Sequence, residues 1–137
     1  MKRTRVVVLG DRHRPPFFQE IQCGRHVLAA DEPAQRGGLD AGPSPFAYLL
    51  SALGACTSVT LRAYCDRKGW AIAKVLVALE LFGRPGCWEI RRGVRILGVL
   101  SGAQRERLAE LCERTPVTLA LKGGVKVQTT VSVQLPA

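Results

Sequence analysis

Apolar and polar positions change their period several times along this chain, and each change marks an element. Residues 5–9, 17–23 and 25–30 are short alternating or apolar runs that read as strands. A polar, proline-containing stretch separates the first two, and Gly24 separates the others, which makes the second and third a candidate hairpin. Residues 31–43 hold two prolines and three glycines with little periodicity and read as a loop. Ser44 then offers an N-cap and Pro45 a first helical residue. The helix they open is expected to run to about Lys68 and stop at Gly69. It is apolar on nearly every side until Arg62, which predicts a central rather than a surface helix. At about 100° per residue, Cys56 shares a face with Leu49, Ala52, Leu53, Val59, Thr60 and Ala63. Cys65 falls opposite, so the two thiols are not expected to pair within one chain.

Alternation returns at residues 75–82, a strand buried on much of both faces. A turn at Gly83-Arg84-Pro85-Gly86 leads to a less regular strand at 89–97, together predicting an antiparallel hairpin. Ser101 and Gln104 form a capping box for a helix carrying Leu108, Leu111 and Cys112 on one face. Thr115 is an N-cap and Pro116 the first residue of a short helix ending near Gly123-Gly124. Val125, Val127, Thr129, Val131 and Val133 alternate with polar residues and predict a half-buried last strand. The order of strands, long helix, strands, helix and strand gives an α+β class with antiparallel sheet. So few elements cover a long apolar helix most easily by dimerising.

Composition narrows the class. The 137 residues fit one domain, residues 1–137, and no uninterrupted apolar run reaches the roughly 18 residues of a membrane span. A soluble protein with no membrane association is expected, and the four apolar residues after the basic start are too few for a signal peptide. The five cysteines are an odd number without a CxxC pair, which points to a reducing cytoplasm and to neither a disulfide framework nor a zinc site. His13 and His26 have no second ligand at metal spacing, so neither metal nor cofactor is expected. The net charge of +9 is scattered and carries no interleaved aromatics, which makes nucleic acid an unlikely partner. What remains is the thiol in the middle of the apolar helix. Cys56 is either a packed structural residue or a nucleophile screened from water.

Several pieces together resemble the OsmC/Ohr family of thiol peroxidases. They are Asp31-Glu32-Pro33, Gly37-Gly38, Gly42-Pro43-Ser44-Pro45-Phe46, Ala52-Leu53-Gly54-Ala55-Cys56-Thr57 and Arg67-Lys68-Gly69-Trp70, followed by Leu100-Ser101, Arg107-Leu108 and Thr115-Pro116-Val117. The likeness covers roughly residues 17–133. It implies the OsmC-like fold, an intertwined homodimer whose antiparallel sheets wrap around long central helices, with active sites between subunits. It also implies reduction of organic hydroperoxides by an attacking cysteine, regenerated by an external thiol. Cys56 stands at the position of that cysteine. Arg36 matches the spacing of the family's activating arginine, with Arg25 as the substitute. The family's glutamate is replaced by Phe46 and Ala47, and its resolving cysteine by Thr115. Cys112, three residues earlier, is either a core residue or a displaced resolving thiol. The expected activity is therefore an atypical thiol peroxidase, or, if activity has been lost, a dimer that binds an apolar or anionic small molecule.

Overall fold

The computed structural model describes residues 3–136. The chain forms two compact units, Met1–Ala55 with Val77–Gly93 and Cys56–Leu76 with Val94–Ala137.

In the first unit, strands β1 (Val7–Leu9), β2 (Gln19–Cys23) and β3 (His26–Ala30) form an antiparallel sheet in that order. The expected hairpin forms: Cys23 pairs with His26 around Gly24, which sits at φ 60°. Val8 pairs with Ile21 across β1 and β2. The strands begin later than their sequence runs suggest. The Phe18 N–H donates to the Pro15 carbonyl at 3.0 Å, a turn that delays β2 until Gln19.

Helix α1 spans Pro45–Lys68, within the bounds its signals predict, and runs through both units. The Ser44 hydroxyl accepts from the Ala47 N–H at 3.2 Å, a cap at the third helical position. At the other end Gly69 turns left-handed at φ 71°, its N–H donating to Asp66 and that of Trp70 to Cys65 at 2.9 Å. Its N-terminal part lies close to the following strand: a Cβ on Gly54 would stand 2.8 Å from Leu79 Cδ1.

Strands β4 (Ile72–Arg84) and β5 (Cys87–Gly98) form a separate two-stranded hairpin, longer than the runs 75–82 and 89–97. The pairing extends at the open end to Ile72 and Gly98 and at the turn to Arg84 and Cys87. Gly86 adopts φ 83° after Pro85, and Gly83, at φ 117°, would place a Cβ 2.1 Å from the Cys87 carbonyl oxygen. Glycine there lets pairing continue to the tip.

In the second unit, α2 (Gly102–Cys112) carries the full capping box of Ser101 and Gln104, and α3 (Pro116–Gly123) follows from Thr115. The core is Leu61, Tyr64 and Cys65 of α1 against Leu108 and Cys112 of α2, with Trp70, Val75, Val94 and Leu111 packed on it. Tyr64 meets Trp70 edge-on at 5.4 Å and accepts from Arg107 Nε at 3.2 Å.

The expected last strand is not formed. Residues 124–136 have no regular structure, and Val127, Val131 and Val133 are more than four-fifths exposed. The alternating pattern is present, but a strand needs a hydrogen-bonded neighbour, and among the described residues no strand pairs with this segment. The apolar α1 is likewise incompletely covered: only 22% of its most apolar window is buried by the chain itself.

Candidate active site

Cys56 lies on α1 between the exposed Ala55 and the fully buried Thr57, and is itself half-buried. The buried face of the helix is Leu53, Thr57, Leu61, Tyr64 and Cys65, so Cys56 stands at its margin. Cys65 differs sharply. It is sealed from solvent, and burial pushes its thiol above the ordinary value, with Asp66 adding to the rise and Arg62 opposing it. Of the two thiols on α1, the one that reaches solvent is the one the motif singles out.

Arg36 closes a single 3-10 turn, Ala34–Arg36, and its side chain is exposed. The loop that carries it is held from inside by Asp31, which the sequence marks as part of Asp31-Glu32-Pro33 but to which it assigns no role. Asp31 is 2% exposed, and its carboxylate accepts from the backbone N–H groups of Glu32 at 2.8 Å, Ala41 at 3.1 Å and Leu39 at 3.3 Å. Burial pushes this carboxyl up, but the Glu32, Ala41 and Leu39 bonds outweigh it and hold the pKa below the ordinary value. An aspartate ending an apolar strand just before a glycine-rich loop was the signal available. Arg25 is exposed in the β2–β3 turn.

At the positions of the missing glutamate, Phe46 stacks obliquely on Trp88 with ring centroids 5.0 Å apart, and both rings are about two-fifths exposed. Arg36, Phe46 and Ala47 belong to the first unit; Cys56 and Cys112 belong to the second. Cys112 ends α2 at 8% exposure, inside the core with Leu61 and Leu108.

Thr115, also fully buried, takes the N-cap position of α3, but its side chain makes no cap bond. Its carbonyl alone serves the helix, accepting from Leu119 N–H at 2.9 Å. The hydroxyl stands 2.6 Å from that of Thr118, which donates to the Cys112 carbonyl at 3.2 Å. Since Thr118 spends its proton on Cys112, Thr115 is the donor of the short bond. All five cysteines are thiols. Among the described residues, no group of three or more His, Cys, Asp or Glu is placed to hold a metal ion.

The family model for OsmC-like protein matches residues 37–130. Solved structures share the fold, among them the following three. An OsmC-like protein from Mycoplasma pneumoniae superposes with a TM-score of 0.72 at 19% identity, over 89% of each chain. An organic hydroperoxide resistance protein OsmC from Legionella pneumophila gives 0.64 at 22% identity, over 97% of this chain and 98% of that one. An organic hydroperoxide resistance protein from Elizabethkingia anophelis, solved with thiocyanate bound, gives 0.67 at 14% identity over 90% of each. No curated protein matches the sequence.

Proposed function

The chain belongs to the OsmC-like family, and from that premise we propose that it is an atypical thiol-dependent peroxidase that reduces organic hydroperoxides through Cys56. The observation that carries this reading is the placement of Cys56: on the family's helix, at the margin of the buried face, half-buried where Cys65 is sealed. A thiol with an ordinary pKa of about 8.5 is mostly protonated at neutral pH, so the reaction needs a nearby cation to favour the thiolate. Arg36 is the residue assigned to that role.

In the first step the Cys56 thiolate attacks the terminal peroxide oxygen. An S–O bond forms, the O–O bond breaks, and the departing alkoxide takes a proton to leave as an alcohol. Cys56 is left as a sulfenic acid. The two-cysteine closure that the family resemblance implies has no thiol at Thr115. The burial of Cys112 beside Leu108 supports a packing role for it. An external small thiol therefore attacks the Cys56 sulfur and expels water. A second thiol then frees Cys56 from the mixed disulfide, and a reducing cytoplasm supplies both.

The active form is a homodimer in this proposal. Support comes from the incompletely covered α1 and from the apolar, unpaired 124–136 segment, both of which a second copy would cover. Stopped-flow consumption of cumene hydroperoxide by the reduced protein is expected to be at least a hundredfold faster than for Cys56→Ser. Equal rates would sink the proposal.

One observation favours a second reading. The partly exposed Phe46–Trp88 pair stands where the family places an acid and offers an apolar surface instead. A dimer that binds an apolar or anionic small molecule without turning it over would show a Cys56 alkylation profile centred near the ordinary thiol value of about 8.5.

A further inference from the structure

Positive charge is not spread evenly along the chain. The unit of residues 56–76 and 94–137 holds ten Lys and Arg against four acids, Asp66, Glu106, Glu110 and Glu113. Three of those acids are already engaged: Asp66 with Arg62, Glu110 with Arg107 and Glu113 with Lys122. Three of the cations converge on one side chain. The guanidinium carbons of Arg67 and Arg107 lie 5.3 and 5.6 Å from the Tyr64 ring centre, and the Lys68 ammonium nitrogen lies 5.7 Å from it. Tyr64, Arg67 and Lys68 stand at i, i+3 and i+4 on α1 and so share a face. Arg107 reaches the same ring from α2, its Nε donating to the Tyr64 hydroxyl at 3.2 Å. Among the described residues neither Arg67 nor Lys68 forms a salt bridge, and both are exposed.

We propose that Arg67, Lys68 and Arg107, gathered around Tyr64, form a binding site for a phosphate-bearing small molecule. Cations in the last turn of α1 suit the negative end of its dipole, which accounts for Arg67 and Lys68. It does not account for Arg107, which comes from another helix. Like charges collected around one ring repel each other, and a multiply charged oxyanion among them turns that repulsion into attraction. The ring contacts and the hydroxyl bond restrain long side chains before any ligand arrives, so less freedom is lost on binding. Guanidinium forks match phosphate oxygens in pairs, and the Lys68 ammonium adds a point charge. A carboxylate, with one charge and two oxygens, satisfies such a set less completely. The site lies within one unit and needs neither Cys56 nor a second copy of the chain, so it stands apart from the peroxidase reading.

The test titrates the full-length protein with pyrophosphate at low ionic strength and follows, by NMR, the amide signals of Gly69 and Trp70 and the Nε–H signal of Arg107. Saturating shifts of these signals are expected in the wild type. Arg67→Gln combined with Lys68→Gln changes two exposed positions where glutamine keeps the helix propensity, and should weaken pyrophosphate by about tenfold or more. Arg105→Gln combined with Lys126→Gln removes the same charge from exposed positions elsewhere in the unit, and should change the affinity by less than about twofold. Inorganic phosphate should move the same signals with weaker affinity. Acetate at equal ionic strength should leave them in place.

Shifts that fail to saturate overturn the proposal, as does equal weakening by the two double variants, since the unit's charge at large would then hold the anion. An equal response to acetate overturns the assignment to phosphate. A short single-stranded oligonucleotide that binds more tightly than pyrophosphate, and loses affinity equally in both double variants, would assign the charge to nucleic acid and overturn the site as well. None of these results bears on peroxide consumption by Cys56, which is measured separately.

Discussion

In one unit Leu61, Cys65 and Leu108 are sealed from solvent and pack with Tyr64 and Cys112 into a single apolar cluster. In the other, the hydrophobic side chains sealed among the described residues are Ala30 and Leu53, together with the Asp31 carboxylate, while Val8, Val27, Leu28, Phe46 and Trp88 stay exposed. The unit of Leu61 and Leu108 is ordered by removing apolar area from water, worth about 25 cal/mol per Å². The unit of Asp31 is ordered by satisfying polar groups and leaves much of its apolar area exposed. Such surface supports the self-association proposed above. The contrast also separates the thiols: Cys65 and Cys112 lie inside the apolar cluster, and Cys56 lies outside it.

The largest effect that would sharpen this contrast is a cavity in the apolar cluster. Leu61→Ala and Leu108→Ala should each lose about 2–5 kcal/mol in urea unfolding, because fully buried leucines lose both transfer energy and packing. Val27→Ala, two-thirds exposed, should stay within about 0.5 kcal/mol in dilute protein. Equal losses at Leu108 and Val27 would erase the distinction between the two units. A monomer at micromolar concentration by sedimentation would remove the reason offered for the exposed surface.

A smaller effect is expected from the polar knot at the edge of that cluster. Thr118→Val keeps the volume but removes the acceptor for the buried Thr115 hydroxyl and the donor to the Cys112 carbonyl. The loss should be about 1–3 kcal/mol, the cost of stranding buried polar groups. Thr115→Val should cost less, since Thr118 keeps its bond to Cys112. The reverse order would mean that Thr115, not Thr118, is the centre of the knot.

Legibility of the chain followed the range of each signal. The bounds of α1 were readable because Ser44, Pro45 and Gly69 act within one turn, and the Ser101–Gln104 box was readable for the same reason. The last strand misled because its alternation is local while its pairing is not. Thr115 was read correctly as a cap position, but its hydroxyl turns to Thr118, a choice that only the packed structure decides. At the site, Cys56 could be found from its motif, whereas the Asp31 loop rests on bonds spanning eight and ten residues that no short pattern encodes.

The smallest effect concerns the loop held by Asp31, and its sign is informative because two forces oppose each other on one carboxyl. Burial favours the neutral acid, whereas the three N–H donors favour the carboxylate and win, so the folded-state pKa lies below the ordinary value of about 3.9. A depressed pKa means that the stabilisation is complete above the unfolded-state value. It is lost only as pH falls through the folded one. Nothing should therefore change in this loop between pH 5 and 8. In an acid titration followed by NMR, the amide signals of Leu39 and Ala41 should move together with a midpoint below about 3.9, and both should be flat in Asp31→Asn. A midpoint above that value would show burial winning over the backbone bonds. The loop would then open readily on protonation instead of being held closed by its carboxylate.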